Sequence, residues 1–167
     1  MISCVQLDRL RVPLTEPYRL SNTTVESFDV TLVRIETDDG SRGVGEVTCL
    51  EGYSAESSDT AWENVRTVGQ RLTGTTVPTA IETVASELDS SPFSATGLAA
   101  ALETVTDDGW PVVTAPIVGI LSANDSPAER QQSLNAQLDD GLETIKVKIG
   151  FDPVADAAVI QKLADNT

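Results

Sequence analysis

Apolar and polar residues alternate through the first fifty positions in the manner of β-strands. Positions 5–12, 28–36 and 42–48 each carry apolar or β-branched residues at strand spacing. The intervening Asp38-Asp39-Gly40 is a hairpin turn signal, because Gly40 tolerates a positive φ. We therefore predict an antiparallel sheet of three strands, interrupted by loops at 15–24 and 49–57.

The middle of the chain changes to helical spacing. Apolar residues recur every three or four positions through 61–72, after Ser57 or Ser58 as the N-cap. A capping box at 79–82 follows a proline and predicts the start of a second helix. The Ala-rich segment 95–105 predicts a third helix.

The last third alternates between strands and helices. Residues 112–121 form a nearly unbroken apolar run, which is typical of a buried strand. A helix should begin after Ser126, a strand is expected at 144–150, and Asp152 should cap a final helix. This order predicts parallel βα units. Two such strands are an incomplete unit, because they can neither close a barrel nor bury both faces.

The composition is that of a folded and strongly acidic protein. Hydrophobic residues make up 40% and the formal net charge is −15, which argues against binding to nucleic acid or anionic membranes. No apolar run approaches the roughly 20 residues of a membrane span. The chain has no histidine, so His-based catalysis is excluded. We expect a cytoplasmic protein adapted to concentrated salt, where screening removes the cost of self-repulsion.

Lysine is scarce, and two of the three lysines share one predicted strand. Residues i and i+2 of a strand point to the same side, so Lys146 and Lys148 share a face opposite Ile145 and Val147. In a barrel the apolar side would pack on helices and both ammonium groups would face inward, near the C-terminal end of the strand. Like charge and partial burial would then favour a neutral lysine that can act as a general base. The alternative is an exposed strand face with two solvated lysines.

Two segments together resemble the enolase superfamily, in its muconate-cycloisomerase and mandelate-racemase branch. Residues 30–46 resemble the hairpin of its capping domain, and residues 139–150 resemble its second barrel strand with a K-x-K motif. The resemblance implies an α+β capping domain (antiparallel sheet plus helices) over 1–110. The first βα units of a modified TIM barrel would follow over 111–167.

The resemblance also implies a reaction. A divalent metal, usually Mg²⁺, would bind a small carboxylate substrate while a base removes its α-proton. The base maps to Lys148, and Lys146 would favour the neutral form of Lys148 and contact the carboxylate. The two predicted loops would supply substrate-binding residues, namely Tyr18, Arg19 and Tyr53. Racemase, epimerase and cycloisomerase chemistry, and a related lyase reaction, all remain open, and a homo-oligomer is expected.

The metal ligands of that superfamily would fall beyond residue 167. The chain as given is therefore expected to lack the metal site and to be an inactive portion of a longer isomerase. The alternative is a non-catalytic binding or assembly module. Its unfinished barrel strands would require a partner chain.

Overall fold

The computed structural model describes residues 1–20, 23–50, 55–106, 114–122, 125–149 and 152–165. The chain forms two compact units. The first combines Met1–Glu16 with Glu26–Trp110, and the second combines Pro17–Val25 with Pro111–Thr167. A short stretch near residue 20 thus belongs to the same unit as the last third of the chain. No helix in the described ranges is long and apolar enough to cross a membrane.

Three strands form the predicted antiparallel sheet, in the order β1-β2-β3. β2 pairs with β3 so that Val30 lies opposite Thr48 and Glu36 lies opposite Arg42. Gly40 in the connecting turn has a φ of 87°, which confirms the hairpin signal. The strands are β1 (Ile2–Arg19), β2 (Thr24–Thr37) and β3 (Arg42–Thr48).

The predicted loop at 15–24 is wrong over most of its length. β1 continues to Arg19 and β2 already begins at Thr24, while the Leu20 amide donates to the Thr23 carbonyl at 2.8 Å. Residues 15–19 are exposed, so neither side of this strand segment shows the apolar alternation that marks a half-buried strand. We call residues 17–20 and 23–25 the hairpin tip.

Three helices cover the sheet: α1 (Ser58–Leu72), α2 (Val77–Ala85) and α3 (Pro92–Thr106). Ser57, one of the two predicted N-caps, caps α1 by accepting a hydrogen bond from the Thr60 amide at 3.2 Å. The predicted start of α2 at 79 is wrong, because Thr76 is the N-cap and the proline lies within the first turn. The core between sheet and helices includes Val33, Ile35, Val47, Val65, Leu72, Leu98 and Leu102.

The second unit contains a parallel pair of strands and two helices. β4 and β5 pair in parallel, as predicted, with Val118 opposite Thr144 and Leu121 opposite Val147. The predicted strand over 112–121 is too long: the described residues 114–117 are not strand. A proline interrupts the run and β5 offers only four residues for pairing. The elements are β4 (Val118–Leu121), α4 (Pro127–Asp139), β5 (Thr144–Val147) and α5 (Pro153–Ala164).

Helix α3 lies directly against β3 because glycines line the contact. A Cβ added at Gly45 would come within 1.9 Å of the Gly97 carbonyl oxygen. A Cβ added at Gly97 would come within 2.3 Å of Val47 Cγ2. The Thr104 hydroxyl then accepts a hydrogen bond from the Val44 amide of the edge strand at 2.9 Å. The helix therefore both packs on β3 and satisfies part of its edge.

Replacing Gly45 with Ala should destabilise the chain by about 3 kcal/mol, because the new methyl group forces α3 away from β3. Gly69→Ala is the matched control. Its added Cβ would meet only the Val5 side chain at 3.1 Å, and alanine favours the helix. Chemical denaturation measures both changes. Equal free energies of unfolding for Gly45→Ala and Gly69→Ala would contradict the close packing of α3.

Candidate functional site

The two sides of β5 differ in what they contact. Ile145 and Val147 pack against a small buried cluster, so the apolar side faces the helices as predicted. Strand alternation places Lys146, and Lys148 just after the strand, on the opposite side. The buried cluster consists of Leu121 from β4, Leu134 from α4 and Leu163 from α5.

The lysine side of the strand pair is open and partly apolar among the described residues. Ile120 pairs with Lys146, and its side chain is 55% exposed. Val118 on the same side is 53% exposed. Lys146 is exposed, whereas Lys148 is half-buried. Lys148 is thus the more enclosed of the two cations.

The hairpin tip accounts for the partial burial of Lys148. Its Nζ lies 3.5 Å from the centroid of the Tyr18 ring. The same Nζ donates to the Arg19 carbonyl oxygen at 3.5 Å. Tyr18, Arg19 and Lys148 all belong to the second compact unit. The structure therefore brings together three of the five predicted site residues, and Lys146 stands on the same strand face.

The phenol of Tyr18 responds to these cations. Its pKa is lowered, first because the Lys148 ammonium can hydrogen-bond the ionised oxygen. Burial opposes this shift, and the positive charges of Lys148 and Lys146 add to it. Both lysines are therefore near enough to Tyr18 for their charges to lower its pKa.

Arg19 takes part in a way that sequence reasoning missed. The residue was expected to bind substrate, and the contact that the structure shows for it is made with Lys148 by its backbone carbonyl. No sequence signal identifies such a contact, because every residue carries a carbonyl and the partners are 129 positions apart. Tyr53, the remaining predicted site residue, lies outside the described residues.

Glu56 anchors the end of the second predicted loop, a role that sequence reasoning also missed. Its carboxylate is buried and accepts hydrogen bonds from the Phe93 amide, at 2.7 Å, and from the Ser94 hydroxyl. It therefore caps the start of α3 from outside the helix. Burial, together with the charge of Glu56, raises the pKa of the Cys49 thiol.

The described residues offer no ready metal site. No group of three Cys, Asp or Glu side chains lies together among them. Asp152, four positions after Lys148, accepts hydrogen bonds from the Val154 and Ala155 amides at 2.9 and 3.0 Å. It is the N-cap of α5, as the sequence predicted.

Comparison with known proteins identifies a family that matches more than half of the chain. Residues 4–108 match the family described as mandelate racemase / muconate lactonizing enzyme, N-terminal domain. The chain is 27% identical to L-Ala-D/L-Glu epimerase of Bacillus subtilis (strain 168), covering 95% of this chain and 47% of that protein.

Solved structures share the fold at lower identity. A dipeptide epimerase from Cytophaga hutchinsonii, complexed with Mg and the dipeptide D-Ala-L-Val, gives a TM-score of 0.80 at 22% identity. Muconate lactonizing enzyme from Pseudomonas fluorescens, complexed with muconolactone, gives 0.80 at 23% identity. Each comparison covers 99% of this chain and 49% of the other, so the chain spans about half the length of these relatives.

The contact between Tyr18 and Lys148 predicts an early phenol titration. In a Tyr53→Phe background Tyr18 is the only tyrosine, and its ultraviolet titration should have a midpoint below the ordinary pKa of about 10. Lys148→Met should return the midpoint toward that value, Lys146→Met should do so less, and Lys162→Met should have no effect. An unchanged midpoint in Lys148→Met would contradict the contact.

The lowered pKa of Tyr18 also sets the sign of its effect on folding. A folded state that lowers the pKa of an acid favours the ionised form. Ionisation of Tyr18 therefore stabilises the folded chain as the pH rises through the lowered pKa toward the unfolded value. That contribution is lost as the pH falls through the lowered pKa.

Proposed function

Because the chain belongs to the mandelate racemase / muconate lactonizing enzyme N-terminal domain family, we propose that it serves in removing the α-proton of a small carboxylate substrate. The observation that carries this proposal is the pair of lysines on the open side of β5, with Lys148 held against Tyr18. We assign residues 1–110 to a capping domain and 111–167 to the start of a (β/α) barrel. The reaction would be an epimerisation or racemisation, with cycloisomerisation as the second candidate.

Lys148 and Lys146 have different roles in the proposed reaction. A neutral Lys148 amine takes the proton: the Nζ–H bond forms as the Cα–H bond breaks, and the electron pair passes into the carboxylate to give an enediolate. The Lys146 ammonium on the same face attracts the carboxylate and stabilises the negative charge that develops on it. Inversion requires that an acid return a proton to the opposite face of the carbon, and we assign no residue of this chain to that step. In a chain of net charge −15, this pair is a local positive site for an anionic substrate.

Magnesium, which the superfamily resemblance implies, does not fit the side chains described here. Among the described ranges no three potential ligands lie together, and Asp152 is engaged as a helix cap. The steps above therefore use only the side chains of this chain. We propose that the metal ligands come from residues that follow position 167, because the relatives are about twice as long.

Dipeptides are the substrates to test first. The relative that matches 95% of the chain is an L-Ala-D/L-Glu epimerase. A dipeptide presents one carboxylate and an α-proton beside it, which is what the lysine pair requires. Tyr18, the Arg19 side chain and Tyr53 are proposed to face the rest of the substrate.

A second candidate is a non-catalytic assembly module. Three hydrophobic residues are largely exposed: Ile117 at 72%, Val118 at 53% and Ile120 at 55%. Burial of such an apolar surface against another chain would be favourable. The coding sequence after residue 167 separates the two functions. The enzyme requires a further strand ending in Asp within about 30 residues, the length of one βαβ unit, and then two strands ending in Glu or Asp. A stop codon at that point would favour the module and a stable homo-oligomer.

Exchange of the α-proton with deuterated solvent tests the role of Lys148. In the complete protein with Mg²⁺ and a dipeptide, Lys148→Met should lower the exchange rate by about 10³-fold or more, since the base is gone. Lys148→Arg keeps the charge but cannot lose its proton, so it should be equally impaired. Lys162→Met is the control and should exchange normally.

Two results would contradict the proposal. Normal exchange in Lys148→Met would remove Lys148 from the reaction. Turnover by the 167-residue chain alone would show that it needs no further metal ligands.

A further inference from the structure

The hairpin tip holds Lys148 from two directions. The ring face of Tyr18 lies 3.5 Å from Nζ, measured to the ring centroid, and the Arg19 carbonyl oxygen lies 3.5 Å from the same atom. The two partners are consecutive residues at the end of β1. Lys146 has no such ring contact among the described residues, although it stands on the same side of the strand pair.

Both contacts act on the charged form of the amine. An ammonium is attracted to the negative face of an aromatic ring, and a carbonyl oxygen accepts one of its protons. A lysine side chain has four rotatable bonds, so without such contacts its end samples many positions. The tip therefore restricts where Nζ lies.

We propose that Tyr18 is a positioning residue for Lys148, its ring and the adjacent Arg19 carbonyl setting the place and direction of Nζ on the open side of β5. This inference rests on the proposed function, in which Lys148 is the base. It adds that β5 alone does not fix the position of the base. Arg19 at the end of β1, 129 positions earlier in the chain, supplies one of the contacts that hold Nζ. The positive charge that develops on Nζ during proton removal is then stabilised by the ring.

The same geometry lowers the pKa of Tyr18, first through the hydrogen bond from Lys148. Tyr18 is 43% exposed, so part of the residue remains accessible while Lys148 lies against its ring.

Isotope-labelled lysine tests directly whether Lys148 lies against Tyr18, because the chain has only three lysines. The ε-methylene protons of Lys148, assigned with Lys148→Arg, should lie upfield of those of Lys162 through the ring current of Tyr18. They should also show a nuclear Overhauser effect to the Tyr18 ring. Tyr18→Phe should keep the upfield shift, and Tyr18→Leu should abolish it.

If Tyr18→Leu fails to fold, the Overhauser effect in the unmodified chain still tests the proposal. Absence of the Overhauser effect between Lys148 and the Tyr18 ring would overturn the proposal. So would a Lys148 signal that is the same in a folded Tyr18→Leu variant as in the unmodified chain.

Kinetics of the complete protein separate positioning from substrate binding. Tyr18→Leu should lower kcat by about five- to ten-fold with little change in KM, as expected for losing a ring–cation contact in the transition state. Tyr18→Phe should stay within about two-fold. A rise in KM alone would overturn the positioning role.

Failure of the proposed function has a different signature. In that case Lys148→Met would exchange α-protons normally, while the Lys148–Tyr18 Overhauser effect would still be seen. Loss of the effect together with a reaction that depends on Lys148 would remove only the role of Tyr18.

Discussion

Packing of Ile145 and Val147 against the leucines of β4, α4 and α5 determines which side chains of this chain are free for chemistry. Because successive residues of a strand point to opposite sides, burial of this pair places Lys146 and Lys148 on the other side. A slip of one residue would put ammonium groups among leucines, at a large desolvation cost. The register of this short strand thus sets the side of the strand pair on which the cations lie.

A second constraint comes from the other end of the chain. β1 and β2 extend as a hairpin beyond the sheet core, and the tip belongs to the same compact unit as β5. There Tyr18 and the Arg19 carbonyl meet Lys148. The candidate base is therefore positioned by the packing of Ile145 and Val147 on one side of its strand. On the other side it is held by the Tyr18 ring and the Arg19 carbonyl. Its position depends on two segments that are distant in sequence.

Local chemistry made much of the fold predictable. The turn at Gly40 and the caps at Ser57, Ser126 and Asp152 follow from the preferences of single residues for particular backbone states, and all are confirmed. The prediction was wrong at the start of α2, where Thr76 rather than Thr79 caps the helix.

Features without a local signal were missed. Residues 15–19 are strand with no buried side, so no alternation marks them. The contact of Lys148 with the hairpin tip depends on tertiary structure alone. The roles of Lys146, Lys148, Tyr18, Arg19 and Tyr53, the cytoplasmic location and the adaptation to salt stay predictions.

Affinity labelling would test most directly whether Lys148 reaches the α-carbon of a bound carboxylate. An α-bromo analogue of the substrate, incubated with the complete protein, reacts with whichever neutral amine lies beside that carbon. Peptide mapping by mass spectrometry should find the label on Lys148, and a competing dipeptide should protect it. Label confined to Lys162 or the amino terminus, with Lys148 unmodified, would contradict the account.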